Sequence, residues 1–121
     1  MPAKVVDASV LGALLFGERR AQEAFSLLQG FELYAPTLLR YELTSIARKK
    51  SLRYPRQREG LIAALRLGLS LDLHQVEVDH EAALRLALET GLTTYDASYL
   101  LLARSLGVPL ATFDQRLQQA L

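Results

Sequence analysis

Short apolar runs alternate along this chain with longer stretches in which apolar side chains recur every three or four residues. The runs Lys4 to Val6, Phe31 to Ala35, Gln75 to Val78 and Val108 to Thr112 have the length and composition of buried strands. Between them, helical spacing predicts Val10 to Phe16, then Glu18 to Gln29 with Ala21, Ala24, Phe25 and Leu28 on one face. Pro36 and Thr37 open a helix that runs to about Lys50 with a stripe of Leu39, Leu43, Ile46 and Ala47. Ser51 to Pro55 breaks it, and Arg56 to Leu69 forms another helix with Leu61, Ala64, Leu65 and Gly68 inward. Asp79 caps a helix from His80 to about Glu89, and Thr93 or Thr94 caps one through Leu100 to Ala103 that has little polar surface. Gly30, Gly91 and Gly107 stand where helices stop, and Asp114 caps Gln115 to Ala120. Pro109 cannot donate to a ladder, so it belongs at its strand's first residue or on an edge. Strands alternating with helices predict an α/β fold, with a parallel sheet covered on both faces and right-handed crossovers.

Composition changes this picture little. The 121 residues fit one domain over 1–121, with no linker, repeat or low-complexity segment. Half the residues are hydrophobic and 22% are charged, as in ordinary globular proteins. The absence of cysteine removes disulfides, thiolate nucleophiles and Cys-based zinc sites, and it fits a reducing cytoplasm. No segment approaches a membrane span, and Asp7 interrupts the one run, Val5 to Phe16, that resembles a signal core. A cytoplasmic protein is expected. The net charge of +1 does not announce nucleic acid, but Arg48, Lys49, Lys50, Arg53, Arg56 and Arg58 lie in a stretch without an acid.

The acids carry the chemistry. Asp7, Asp96 and Asp114 stand at helix starts, where each alone is most simply a cap or a partner of the helix dipole. Glu42 is different. It lies three residues after Leu39 and four before Ile46, so it points with the apolar stripe, where a carboxylate needs a partner or a cation. In an open parallel sheet, residues just after the strands gather at the carboxyl edge, where such folds bind ligands. Asp7 and Asp114 follow strands, and Glu42 and Asp96 are expected in the first turns of helices, so all four can meet in one crevice. Two carboxylates about 4 Å apart repel by about 4 kcal/mol at an effective dielectric of roughly 20. Helix N-termini offset only about 0.3–1 kcal/mol each. Such a cluster raises its own pKa values or recruits a hard cation, Mg²⁺ or Mn²⁺.

VVDAS, APTLLRYELTSIARK and YDASYLLLARSLGVPLATFD together resemble a PIN domain of the VapC-like toxin kind across nearly the whole chain. The resemblance implies a three-layer α/β/α sandwich and a Mg²⁺- or Mn²⁺-dependent endoribonuclease that cleaves single-stranded RNA. It further implies a toxin restrained by a cognate antitoxin, and a homodimer or higher homo-oligomer. It assigns the catalytic and metal-binding roles to Asp7, Glu42, Asp96 and Asp114, holding one or two ions, with Ser9 and Thr112 in support. The family usually adds a strand after the last helix. The sheet here therefore has four strands, or five with an edge strand not in this sequence. The different-class alternative is a non-catalytic PIN-like module that binds RNA or protein.

Rival constellations fail on residues. A haloacid-dehalogenase-type phosphatase needs an Asp where Ser9 stands, and a receiver domain needs paired acids after strand one and a lysine after the last strand. His74 and His80 lack ligand spacing and are expected in surface or capping roles, and Tyr41, Tyr95 and Tyr99 are expected to pack in the core. Surplus apolar stripe at 8–29 and 56–73 is expected to be covered by a second copy. Arg48, Lys50, Arg53 and Arg56 are candidate RNA-binding residues, with Tyr54 able to stack on a base. For a single strand, removing one cation that neutralises a phosphate reduces the slope of log affinity against log salt by about 0.7. Arg53→Glu combined with Arg56→Glu is therefore expected to weaken RNA binding and flatten its salt dependence, measured by anisotropy over a salt series. An unaltered slope returns this segment to a solvated helix end.

Overall fold

The computed structural model describes residues 1–121. Four parallel strands form one sheet in the order β3-β2-β1-β4: β1 (Ala3–Val6), β2 (Glu32–Pro36), β3 (His74–Val76) and β4 (Leu110–Ala111). Val5 pairs with Tyr34 on one side and Leu110 on the other, so β1 is central and Val5 and Val6 are wholly buried. Seven helices cover the sheet: α1 (Ala8–Leu15), α2 (Ala21–Leu28), α3 (Leu38–Arg53), α4 (Arg58–Leu69), α5 (His80–Thr90), α6 (Thr94–Leu106) and α7 (Gln115–Ala120). The steps β1 to β2 and β2 to β3 run in one direction and the step β3 to β4 runs back past β1. With right-handed crossovers this puts α1–α4 on one face and α5 and α6 on the other. The packing agrees: α1 lies against α2, α3 and α4, while α6 lies against α5, β1 and β2. The reversal makes the carboxyl ends of β1 and β4 the switch point of the sheet.

The expected three-layer α/β/α arrangement is present, with four strands, and the boundaries differ in instructive ways. Pro36 ends β2, paired with Val76, and Thr37 only then turns the chain into α3. That helix continues through Ser51 to Arg53. The stop comes at Tyr54, because Pro55 disfavours helical backbone in the residue before it. Residues 17–20 form a turn, and α2 begins only at Ala21. Its buried face is Ala24 and Leu28, whereas Phe25, expected inward, is 50% exposed because it points past the edge of that face. Strand β4 is two residues long, since Pro109 has no N–H to pair. Its carbonyl nevertheless accepts from the Val5 amide at 2.9 Å. In α4 the inward residues are as expected, with Leu61 and Gly68 buried and Ala64 and Leu65 half-buried.

The core is one aliphatic cluster around β1, built from α1, α3 and α6. Leu39, Leu43, Leu100 and Leu11 are all at most 1% exposed. No helix is long and apolar enough to cross a membrane. His74 sits on the edge strand, its ring stacked on Tyr34 at 4.5 Å between centroids and its Nε2 2.6 Å from Glu32. His80 opens α5 behind the cap Asp79 and is exposed.

Gly107 ends α6 at φ +66°, where its amide bonds back to Arg104, and the chain then turns directly into β4. A side chain in that left-handed conformation costs about 1–2 kcal/mol. Gly107→Ala should therefore lower the unfolding free energy by about that amount and leave the denaturant slope unchanged. A urea titration with no shift in midpoint would remove this position from the determinants of the α6–β4 turn.

Candidate functional site

The switch point is organised by Asp7. Its amide donates to the Ala111 carbonyl at 3.2 Å, which extends the β1–β4 ladder by one rung and carries the side chain to the end of the sheet. Asp7 caps α1. Its Oδ1 accepts from the Val10 amide at 3.2 Å and from Ser9 Oγ at 2.6 Å, and its Oδ2 accepts from Thr112 Oγ1 at 2.5 Å. Ser9 Oγ and Thr112 Oγ1 also accept, from the amides of Phe113 (2.9 Å) and Asp114 (3.0 Å). Two hydroxyls thus stitch the first turn of α1 to the loop after β4. The carboxylate is only 5% exposed, and burial raises its pKa although Ser9, Thr112 and the amides of Val10 and Ser9 pull the other way.

Asp114 caps α7, its Oδ1 accepting from the Leu117 amide at 3.1 Å. Asp96 is the third residue of α6, and its amide donates to Thr93 Oγ1 at 3.0 Å, which decides the cap in favour of Thr93 over Thr94. Glu42 is not in a first turn as expected. Because α3 starts only at Leu38, Glu42 lies one turn in, beyond direct help from the helix N-terminus. Its partner is Tyr99, whose hydroxyl donates to Oε1 at 2.5 Å across 57 residues of chain. That bond joins α3 on one face of the sheet to α6 on the other, above the strand ends.

Electrostatics link the four acids. Burial raises the pKa of Glu42, the Tyr99 hydrogen bond opposes this, and the charges of Asp7 and Asp96 push it higher. Burial also raises that of Asp96, with Asp114 and Asp7 adding repulsion, while Thr93 and Arg116 lower it. Tyr99 is 1% exposed, and burial and the neighbouring acids raise its pKa far above the usual tyrosine value, so it acts as a donor. The acids converge, but as placed no three of them close around one point tightly enough to hold an ion. The donor set is all carboxylate oxygen and mutually repelling, which is what a hard divalent cation would relieve.

Other sequence expectations divide. Tyr99 packs in the core as expected, and it also has the polar role that its place three residues after Asp96 on one helix face could have signalled. Tyr41 and Tyr95, also expected in the core, are 76% and 61% exposed, on helix faces that no other layer covers. They line a groove of about 540 Å³ with Leu38 and Leu84. Beside Ser9 and Phe113 lies a second cleft, of about 560 Å³, lined by Arg19, Arg20, Lys49 and Lys50. Of the residues expected to bind RNA, Lys50 lines this cleft, and Arg48, Arg53 and Arg56 do not.

Comparison with known proteins decides the family. The PIN domain profile matches residues 4–120. The chain belongs to the PIN-domain family. Ribonuclease VapC3 of Pyrobaculum aerophilum is 33% identical over 120 residues, which cover 95% of this PIN domain chain and 92% of that protein. A crystal structure from Pyrobaculum aerophilum superposes with a TM-score of 0.77 at 29% identity, over 98% of this chain and 85% of that one. The structure of Mycobacterium tuberculosis VapC20, a sarcin-ricin loop cleaving toxin, gives 0.69 at 16% identity over 98% and 95% of the two chains. A toxin-antitoxin complex from Klebsiella pneumoniae gives 0.65 at 20% identity over 93% and 87%. At those identities the last two speak for the PIN fold alone.

The raised acid pKa values set the sign of a pH effect in the metal-free PIN domain. A carboxyl whose folded pKa exceeds its unfolded value contributes stability that is full below the unfolded pKa and is lost as pH rises through the folded one. Removing Asp96 should therefore stabilise most at neutral and higher pH. Denaturation of Asp96→Asn and wild type in chelator should show the variant's advantage shrinking as pH falls toward about 4. A gap independent of pH would contradict the burial and acid repulsion that raise the pKa of Asp96.

Proposed function

We propose that this protein is a metal-dependent endoribonuclease that cleaves single-stranded RNA, acting as the toxin of a toxin–antitoxin pair. The observation that carries the reading is the gathering of Asp7, Glu42, Asp96 and Asp114 about the switch point, where, beyond burial, Asp7 and Asp96 raise the pKa of Glu42, and Asp114 and Asp7 raise that of Asp96. The 33% identity to Ribonuclease VapC3 over 95% of this chain supports both the chemistry and the toxin setting. The four acids would hold one or two Mg²⁺ or Mn²⁺ ions. When bound, such an ion lowers the pKa of a water and neutralises charge on a phosphodiester.

The protein's own residues orient and pre-charge the site. Ser9 and Thr112 fix both oxygens of Asp7 without protonating it, and Tyr99 fixes one oxygen of Glu42. Asp96 is half-buried and carries a raised pKa, which suits a carboxylate that takes a proton from an attacking water. Exposed apolar side chains on α2, α4 and α5, including Phe25, Leu67 and Leu88, favour a homo-oligomer whose second copy covers some of them.

The open placement of the acids, none of them caged with two others, is the observation that favours the second reading, a non-catalytic PIN-like module for RNA or protein. One set of measurements separates the two. Mg²⁺ or Mn²⁺ should raise the melting temperature of wild type by mass action. Asp7→Asn and Asp96→Asn should lose that shift while remaining folded, and their RNA cleavage should fall by about 10²-fold or more. Equal metal shifts and undiminished cleavage in all three proteins would sink the enzyme reading.

A further inference from the structure

We propose that the cleft between α1, the turn after it, and α3 is the path of the RNA strand beside the scissile phosphodiester, with Arg19 and Lys49 contacting its phosphates. This rests on the ribonuclease reading above and names the surface that positions its substrate. The cleft has a volume of about 560 Å³. Its floor is apolar, from Ala13, Ile46 and Phe113, and its rim carries four cations against one acid, Glu18. The four cations are not equivalent. Arg20 is held by Glu23 at 2.7 Å and lies over the Phe113 ring at 3.7 Å, so it serves as a wall. Lys50 leans on Glu18 at 3.7 Å. Arg19 and Lys49 are exposed, and neither takes part in an ion pair.

The position of the cleft identifies its occupant. Ser9 lines it while donating to Asp7, and Phe113 lines it while its amide donates to Ser9 Oγ one residue before Asp114. The cleft therefore adjoins the acids, one residue removed from Asp114 and one hydrogen bond from Asp7. An acidic crevice repels a polyanion, so the strand must be held from outside it, by cations placed next to it. Single-stranded nucleic acid is bound by such a combination, a cationic rim for the backbone and an apolar or aromatic floor for the bases. An acidic protein segment would satisfy the rim, but it would gain nothing from proximity to four carboxylates.

The test uses the whole protein and a short fluorescent single-stranded RNA of randomised sequence. Anisotropy over a salt series is measured in chelator, where no cleavage occurs, and steady-state cleavage is measured with Mn²⁺. Arg19→Glu with Lys49→Glu should weaken binding about tenfold or more and reduce the magnitude of the salt slope by about 1.4, the change expected when two phosphates of a single strand are no longer neutralised. Its KM should rise while kcat at saturating RNA stays near wild type, and its Mn²⁺-induced thermal shift should be unchanged. Arg66→Glu with Arg85→Glu, equal in charge and on α4 and α5, should leave affinity, slope and KM near those of wild type. If the charge reversals impair folding, Arg19→Gln with Lys49→Gln replaces them with the same expected direction. An unchanged slope and KM in a cleaving enzyme overturns the cleft assignment alone and leaves the cleft to a protein partner. Equal losses in both double variants reduce the effect to net charge and overturn it too. Wild-type protein that neither binds nor cleaves the RNA overturns the ribonuclease reading, and this proposal with it.

Discussion

The buried carboxylate of Asp7 is the constraint on which the rest of the structure depends. An ion of that size taken from water costs several kcal/mol unless donors replace its hydration. Here three donors do so: the Ser9 and Thr112 hydroxyls and the Val10 amide. One hydroxyl stands in the first turn of α1 and the other just after β4, so the carboxylate cannot be satisfied unless β1 and β4 lie side by side with their ends level. The need to satisfy one charge therefore enforces the switch point of the sheet. The hydroxyls in turn accept the amides of Phe113 and Asp114, which fixes where the last acid stands.

A second bond does for the helical layers what Asp7 does for the strands. Tyr99 is buried in α6 and has one polar atom, which must find an acceptor. It finds Glu42 of α3, which is itself half-buried and in need of a donor. Each group solves the other's problem, and the bond spans the top of the sheet from one layer to the other. Both bonds hold carboxylates in place without neutralising them. Asp7, Glu42 and Asp96 all stand above their ordinary pKa values, first because burial strips their hydration and, for Glu42 and Asp96, also because neighbouring acids repel them. A site of this kind exchanges some stability for preorganisation, and the aliphatic core beneath it supplies the stability.

Much of this was legible in the residues. Each strand and helix left a mark in the spacing of apolar positions, and glycine, proline and the capping aspartates marked many of the ends. Those are local signals, set by backbone sterics and by the nearest few side chains, and the boundaries that slipped did so where two local rules competed. Pro36 could open a helix or close a strand, and pairing with Val76 decided it. Ser51 looked like a break, but only Pro55 forbids helical backbone before it. The odd placement of Glu42 on an apolar stripe was also a local observation, and it correctly marked a residue that needs a partner.

What remained required the chain to be folded. Nothing near Glu42 in sequence names Tyr99 as its donor, because the bond joins helices on opposite faces of the sheet. Nothing in the spacing of Tyr41 and Tyr95 shows that they stand at an open rim and not in the core, because exposure depends on what the other layers cover. The basic run from Arg48 to Arg58 was visible as composition. Only packing of α3 against α1 sets Lys49 and Lys50 opposite Arg19 and Arg20 and leaves the remainder of the run elsewhere. The sequence determined the elements and their order, since periodicity and capping act over a few residues. Tertiary structure decided which groups meet, since burial and long-range hydrogen bonds arise only when distant segments are brought together.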